Sequence, residues 1–180
     1  MLSGIKADKV LVVSGPEVEI YWYRDAATQT RQVSRHVNRL LSEGLHPTDI
    51  VLLSFRKFHR SCLGSGLREV PHKIWEFESG PPTPRPALRF STIAGFKGLE
   101  ADATVIVDID DLSSEKMRSS LYVGASRPRV LLSLFINEGA RPAYEKMKSD
   151  FEQRRRTSAV GRQARYFCSP SGGSPRRSCS

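Results

Sequence analysis

A chain of 180 residues that is 39% hydrophobic and 26% charged has the balance of an ordinary soluble globular protein with room for one core. No apolar run approaches the roughly 18 residues of a membrane span, and the opening segment Met1 to Asp8 lacks a charged-then-apolar leader, so a cytoplasmic location without membrane contact is expected. The net charge of +9 is concentrated near the end. Residues 154–180 hold seven arginines and no acidic residue, which leaves the rest close to neutral. That Ser-, Pro- and Gly-rich stretch has too few large apolar groups to offset chain entropy and is expected to form a disordered basic tail, solvated rather than specifically bound. Cys62, Cys168 and Cys179 are odd in number and widely spaced, which points to reduced thiols and to neither a disulfide framework nor a metal site.

In chain order, Val10–Ser14 and Val18–Tyr23 are β-branched or aromatic runs that predict strands. From Asp25 the period changes, with Val33, Val37, Leu40 and Leu41 at helical spacing and Gly44 as terminator, giving a helix of about four to five turns. Ile50–Ser54 is an unbroken apolar run that suits a strand covered on both faces. Residues 55–87 give no clear pattern beyond a basic cluster at Arg56, Lys57, His59 and Arg60, and the prolines at 81, 82, 84 and 86 predict a loop over 79–87. Strands follow at Leu88–Thr92 and Thr104–Asp108. A helix from about Ser114 to Ala125 is expected to turn Met117, Leu121, Tyr122 and Ala125 inward. Val130–Ile136 reads as another strand, and a last helix starts near Pro142 and packs Tyr144, Met147 and Phe151. Alternating apolar strands and amphipathic helices predict one α/β domain over residues 8–153, with a mostly parallel sheet flanked by helices.

Two motifs carry the chemistry. Thr92-Ile-Ala-Gly-Phe-Lys-Gly-Leu-Glu100 is a Gly-containing turn after a strand, and Leu121-Tyr-Val-Gly-Ala-Ser-Arg127 closes the following helix with a guanidinium. They resemble the fifth and sixth motifs of UvrD/Rep-like superfamily-one helicases, in the same order and with one buried strand and one helix between them. The resemblance covers roughly residues 10–137 and implies a RecA-like second motor domain of the P-loop-NTPase type. It further implies that Arg127 acts as an arginine finger on ATP, that Glu100 meets the ribose and Gly98 lines the nucleotide, and that Thr92 and Lys97 contact single-stranded DNA or RNA. The chemistry agrees, because a planar guanidinium suits charge spread over phosphoryl oxygens and an ionised carboxylate accepts from sugar hydroxyls. Taken singly, each of these side chains reads as an ordinary surface group; their conjunction favours function.

Several features depart from that family. Ala94 stands where relatives commonly have His, and Pro128 stands where Ala is usual; Pro128 also restricts Arg127 toward extended backbone. No G-x-x-x-x-G-K-[ST] loop occurs, so Mg²⁺ and the phosphate cradle would come mainly from an N-terminal Walker lobe in cis or trans. The family's arginine motif at the lobe junction is also unmatched, since Tyr23-Arg24-Asp25 sits at the wrong place. The chain by itself is therefore expected to be inactive, as a fragment, a remnant or a partner subunit. Two other classes compete: a non-catalytic nucleic-acid or protein-binding module, and a Mg²⁺-dependent phosphatase using Asp108 and Asp110 at the end of an apolar strand. The plainer reading of Asp108, Asp110 and Asp111 is a strand-to-helix connection, with Ser113 or Ser114 capping the helix.

Overall fold

The computed structural model describes residues 17–76, 86–151 and 153. The expected strand at Val10–Ser14, most of the proline loop and the basic tail lie outside them. The chain divides into two units, residues 1–143 and 144–180. The first holds strands β1 (Glu17–Tyr23), β2 (Ile50–Ser54), β3 (Ile74–Glu76), β4 (Leu88–Thr92), β5 (Ala101–Ile109) and β6 (Pro128–Asn137), with helices α1 (Ala26–Ser42) and α2 (Glu115–Ala125). Residues 141–143 of the first unit, around Pro142, and residues 144–151 of the second are helical. Phe151 is 57% exposed, so this helix does not bury all three residues expected to pack.

All strand pairs are parallel, in the order β1-β6-β5-β2-β4-β3. This is an α/β fold. Strands β2 and β5 are central, which is why both read as nearly continuous apolar runs and why all five residues of β2 are buried. On one face, Val33, Val37 and Leu40 of α1 join Leu52, Leu88, Phe90, Val105 and Phe135 in the main core. Side chains alternate along a strand, so Ile106 faces the opposite side. There α2 comes down at Gly124, where an added Cβ would stand 3.0 Å from Ile106 Cδ1.

The helix ends follow their local chemistry. Asp25 caps α1 by accepting from Thr28 N at 2.8 Å, and Ser114 caps α2 by accepting from Met117 N at 3.2 Å. Gly44 (φ +98°) ends α1, with Gly44 N donating to Leu41 O and Leu45 N to Leu40 O, the paired bonds of a left-handed C-terminal cap. One expectation for α2 fails: Tyr122 is 76% exposed. Leu121 and Gly124, three residues apart, define the buried stripe, and Tyr122 is rotated roughly 100° from Leu121 and points away from the sheet. No helix among the described residues is long and apolar enough to cross a membrane.

Candidate functional site

The first motif begins where β4 ends. Thr92 Oγ1 accepts from Gly95 N at 3.0 Å and Thr92 O from Phe96 N at 3.0 Å, so the chain turns immediately after the strand. Phe96 is 1% exposed and pins the turn to the core, while Ala94, Lys97 and Glu100 are exposed. Gly98 has φ +86° and no atom within 4 Å of an added Cβ. Its glycine is therefore required by the dihedral and not by crowding within the chain.

This segment runs from one edge of the sheet to the other. Thr92 is level with Ser54 and, through it, with Val107 of β5. Ala101, which follows Glu100, lies six residues earlier on β5, or roughly 20 Å at the usual rise of a strand. Thr92 thus stands at the carboxyl edge of the sheet and Glu100 at the amino edge.

The second motif joins the first at the amino edge. Ala101 pairs with Pro128, and Ala101 N donates to Arg127 O at 3.3 Å, so residues 27 positions apart in sequence (Glu100 and Arg127) flank one backbone bond. Pro128 fits here because the first residue of a strand need not donate to the ladder. Arg127 N donates to Gly124 O at 3.2 Å, and Arg127 Nε is buried with no hydrogen-bond partner. Among the described residues, no hydrogen bond or ion pair engages the side chains of Glu100, Lys97 or Arg127. Arg129 differs, lying 3.8 Å from Asp102.

At the carboxyl edge the polar groups are engaged. Asp108 is buried, adopts φ +59° at a register shift in β5, and accepts from Ser54 Oγ at 2.6 Å and Cys62 N at 3.1 Å. With its amide oriented to satisfy both contacts, Gln29 accepts from Asp108 N at 2.6 Å and donates to Asp108 Oδ1 at 3.3 Å. Asp110 accepts from Tyr23 Oη at 2.6 Å and pairs with Arg56 Nη2 at 2.5 Å. Burial, reinforced by these carboxylates, pushes the Tyr23 hydroxyl and the Cys62 thiol well above their ordinary pKa values. Asp111 accepts from Ser113 N at 2.8 Å, and Ser114, not Ser113, is the cap. Asp108 is thus a structural connector. No group of three or more His, Cys, Asp or Glu side chains suited to a metal occurs among the described residues. A cavity of about 320 Å³ opens at this edge, lined in part by Tyr23, Arg24, Asp25, Arg56, Arg60 and Asp110. Sequence reasoning did not unite these residues, although the Arg56–Arg60 and Asp108–Asp111 clusters were its signal.

A third polar group lies beneath α1. Ser133 Oγ is 2.8 Å from His36 Nε2, His36 Nδ1 is 3.6 Å from Glu19 Oε2, and Arg39 and Tyr21 also bond Glu19. Ser, His and Glu in this series look like a hydrolase relay. Ser133 is 0% and His36 3% exposed, however, so no substrate reaches the hydroxyl, and the group ties α1 to β1 and β6. Burial, with Arg39 alongside, lowers the His36 pKa to about 3 and keeps the ring neutral.

The fold has a solved counterpart. A crystal structure described as the C-terminal domain of a possible DNA helicase from Lactobacillus plantarum WCFS1 superposes with a TM-score of 0.53 at 17% identity, covering 66% of this chain and 72% of that one. The likeness is one of fold. No protein-family model and no curated protein matches the chain.

Proposed function

We propose that this chain is the C-terminal motor half of an ATP-dependent DNA or RNA helicase or translocase of the UvrD/Rep-like type. The observation that carries the reading is the meeting of Glu100 and Arg127 across the Ala101–Arg127 bond, on a fold like that of the possible helicase domain. Arg127 suits the finger role because its side chain has no hydrogen-bond or ion-pair partner among the described residues, its Nε is buried, and the bond from Ala101 N fixes its backbone. A charged group in that state is costly unless an anion completes it. Glu100, exposed beside it, would accept from the ribose, and Gly98 would hold the turn close by. Thr92 and Lys97 would contact the single strand on the same connection.

ATP supplies the phosphoryl group whose transfer drives movement, and the Walker lobe, in cis or trans, would hold most of its phosphates and Mg²⁺. The residues of this chain bind the sugar and offer positive charge where the terminal phosphate's charge builds up. The test is steady-state ATPase of this domain joined to a competent Walker lobe, with a single strand present. Arg127→Ala should lower kcat with little change in strand binding, and Glu100→Gln should act on nucleotide affinity. Wild-type kcat in a folded Arg127→Ala protein would remove Arg127 from the site.

A further inference from the structure

The carboxyl-edge cavity plays no part in the roles assigned above to Glu100 and Arg127. Three arginines line it: Arg24 just past β1, Arg56 just past β2, and Arg60 in the short helical turn that follows. Two of them are engaged by carboxylates from neighbouring strand ends. Arg24 Nε lies 2.8 Å from Glu138 Oε2, just past β6, and Arg56 Nη2 lies 2.5 Å from Asp110 Oδ2, just past β5. Asp110 is itself oriented by Tyr23, which donates to its other oxygen, so the Arg56 pair is held from the core side. Arg56 is pinned at its backbone too, with Arg56 N donating to Ser54 Oγ at 2.9 Å. Arg60 has no such partner among the described residues.

Both pairs remain open to solvent. The side chains are 80% exposed for Arg24, 51% for Arg56, 45% for Glu138 and 43% for Asp110. Exposed pairs of this kind hold together only weakly, so a phosphate oxyanion can exchange for either carboxylate. A guanidinium that leaves a carboxylate for a phosphate keeps the same fork geometry.

We propose that this cavity, which Asp25 and Asp108 also line, is a phosphate-binding site held in a self-neutralised state by Asp110 and Glu138, with Arg24, Arg56 and Arg60 as its contacts. The ligand chemistry is a phosphate group, free or within a nucleic-acid backbone. The phosphodiester source rests on the motor reading above, and the free source does not. Its signature is one of sign: removing an acidic residue from the mouth strengthens binding.

The test uses the full chain and two probes, inorganic pyrophosphate and a short oligothymidylate. Affinities are measured for the wild type, Asp110→Asn, Asp110→Asn/Glu138→Gln, and that double variant with Arg24→Ala/Arg56→Ala/Arg60→Ala added. Folding is checked by circular dichroism, and Glu138→Gln alone serves if Asp110→Asn does not fold. The basic tail is present throughout and cancels in the ratios. Asp110→Asn should tighten pyrophosphate roughly twofold to fivefold and the double variant about tenfold, from the size of exposed ion pairs, and adding the arginine substitutions should abolish the gain. An equal gain with the oligonucleotide assigns the phosphate to a nucleic-acid backbone; a gain with pyrophosphate alone assigns it to a free phosphate compound. Unchanged affinity in the folded carboxylate variants, or a gain that survives loss of all three arginines, overturns the site. Arg127 is intact in every variant, so failure of the motor reading would appear in ATPase kinetics and leave this result standing.

Discussion

At the carboxyl edge of the sheet, Asp108 is met by Ser54, Cys62 and Gln29, and Asp110 by Tyr23 and Arg56. At the amino edge, Glu100 and Arg127 flank a shared backbone bond, and neither side chain has a hydrogen-bond or ion-pair partner among the described residues. A buried polar group that is fully bonded contributes to the fold, whereas one left unpaired costs free energy that folding alone does not return. The contrast assigns stability to the buried Asp108 at one end and leaves a buried, unpaired Arg127 nitrogen at the other.

The largest expected effect breaks or supports that division directly. In a motor joined to a Walker lobe, Arg127→Ala should depress kcat on the order of 10³-fold, the range of arginine fingers, while the melting temperature stays near wild type. Lysine should rescue poorly because a point charge lacks the fork. A large loss of stability with unchanged kcat would place Arg127 among the structural groups instead.

Asp108→Ala should show the reverse. It removes the acceptor for the Ser54 hydroxyl and Cys62 N–H, and it leaves a non-glycine residue at φ +59° without the local bonds that hold it there. The expected cost is about 3 kcal/mol in denaturant unfolding, from two orphaned buried groups and backbone strain. Asp110→Asn, partly exposed and still able to accept from Tyr23, should cost far less. Equal destabilisation by both would contradict the ranking by burial.

Much of the fold was legible because its strands and helices follow simple periods. The unbroken run Ile50–Ser54 suits a doubly covered strand, and Asp25 and Gly44 bracket α1 as caps do. Tyr122 was misread because helical spacing fixes a face only through its neighbours, and the close approach at Gly124 narrows the buried stripe to smaller residues. For the candidate site, only the family resemblance brought Glu100 and Arg127 to one ligand; composition and period could not, since their adjacency depends on β5 and β6 being neighbours in register. The separation of Thr92 from Glu100 was hidden for the same reason: the seven residues between them give no sign that they cross the sheet. His36, Glu19 and Ser133 lie far apart in sequence and share no motif.

That last group gives an acid-sensitivity prediction on the α1 face. His36 titrates near 6.5 in the unfolded chain, but burial holds it at about 3 in the fold. The native state therefore refuses a proton that the unfolded state accepts, and this contribution is complete above about pH 6.5 and is lost progressively as pH falls toward 3. By about pH 4.5 the loss should reach roughly 2–3 kcal/mol. His36→Gln should flatten the stability–pH curve between about 4.5 and 7 relative to wild type, after allowance for a lower starting stability. Parallel curves for the two proteins would mean that His36 takes up its proton in the fold as readily as in the unfolded chain, with the network around Glu19 accommodating the charge.

The smallest effect concerns Gly98, which sits on the connection between the two edges. Its φ of +86° strains any side chain, yet no atom lies within 4 Å of an added Cβ. Gly98→Ala should therefore cost only about 1 kcal/mol, the usual penalty for a left-handed non-glycine residue, with no packing defect. If the glycine serves the turn alone, nucleotide affinity of the joined motor should stay within about twofold, since RT ln 2 is a few tenths of a kcal/mol. If a ligand passes close to the backbone here, affinity should fall further while stability falls no more than the dihedral requires. Parallel urea unfolding and nucleotide titration of this one variant separate the two, and a tenfold affinity loss at unchanged stability would move Gly98 from the fold to the site.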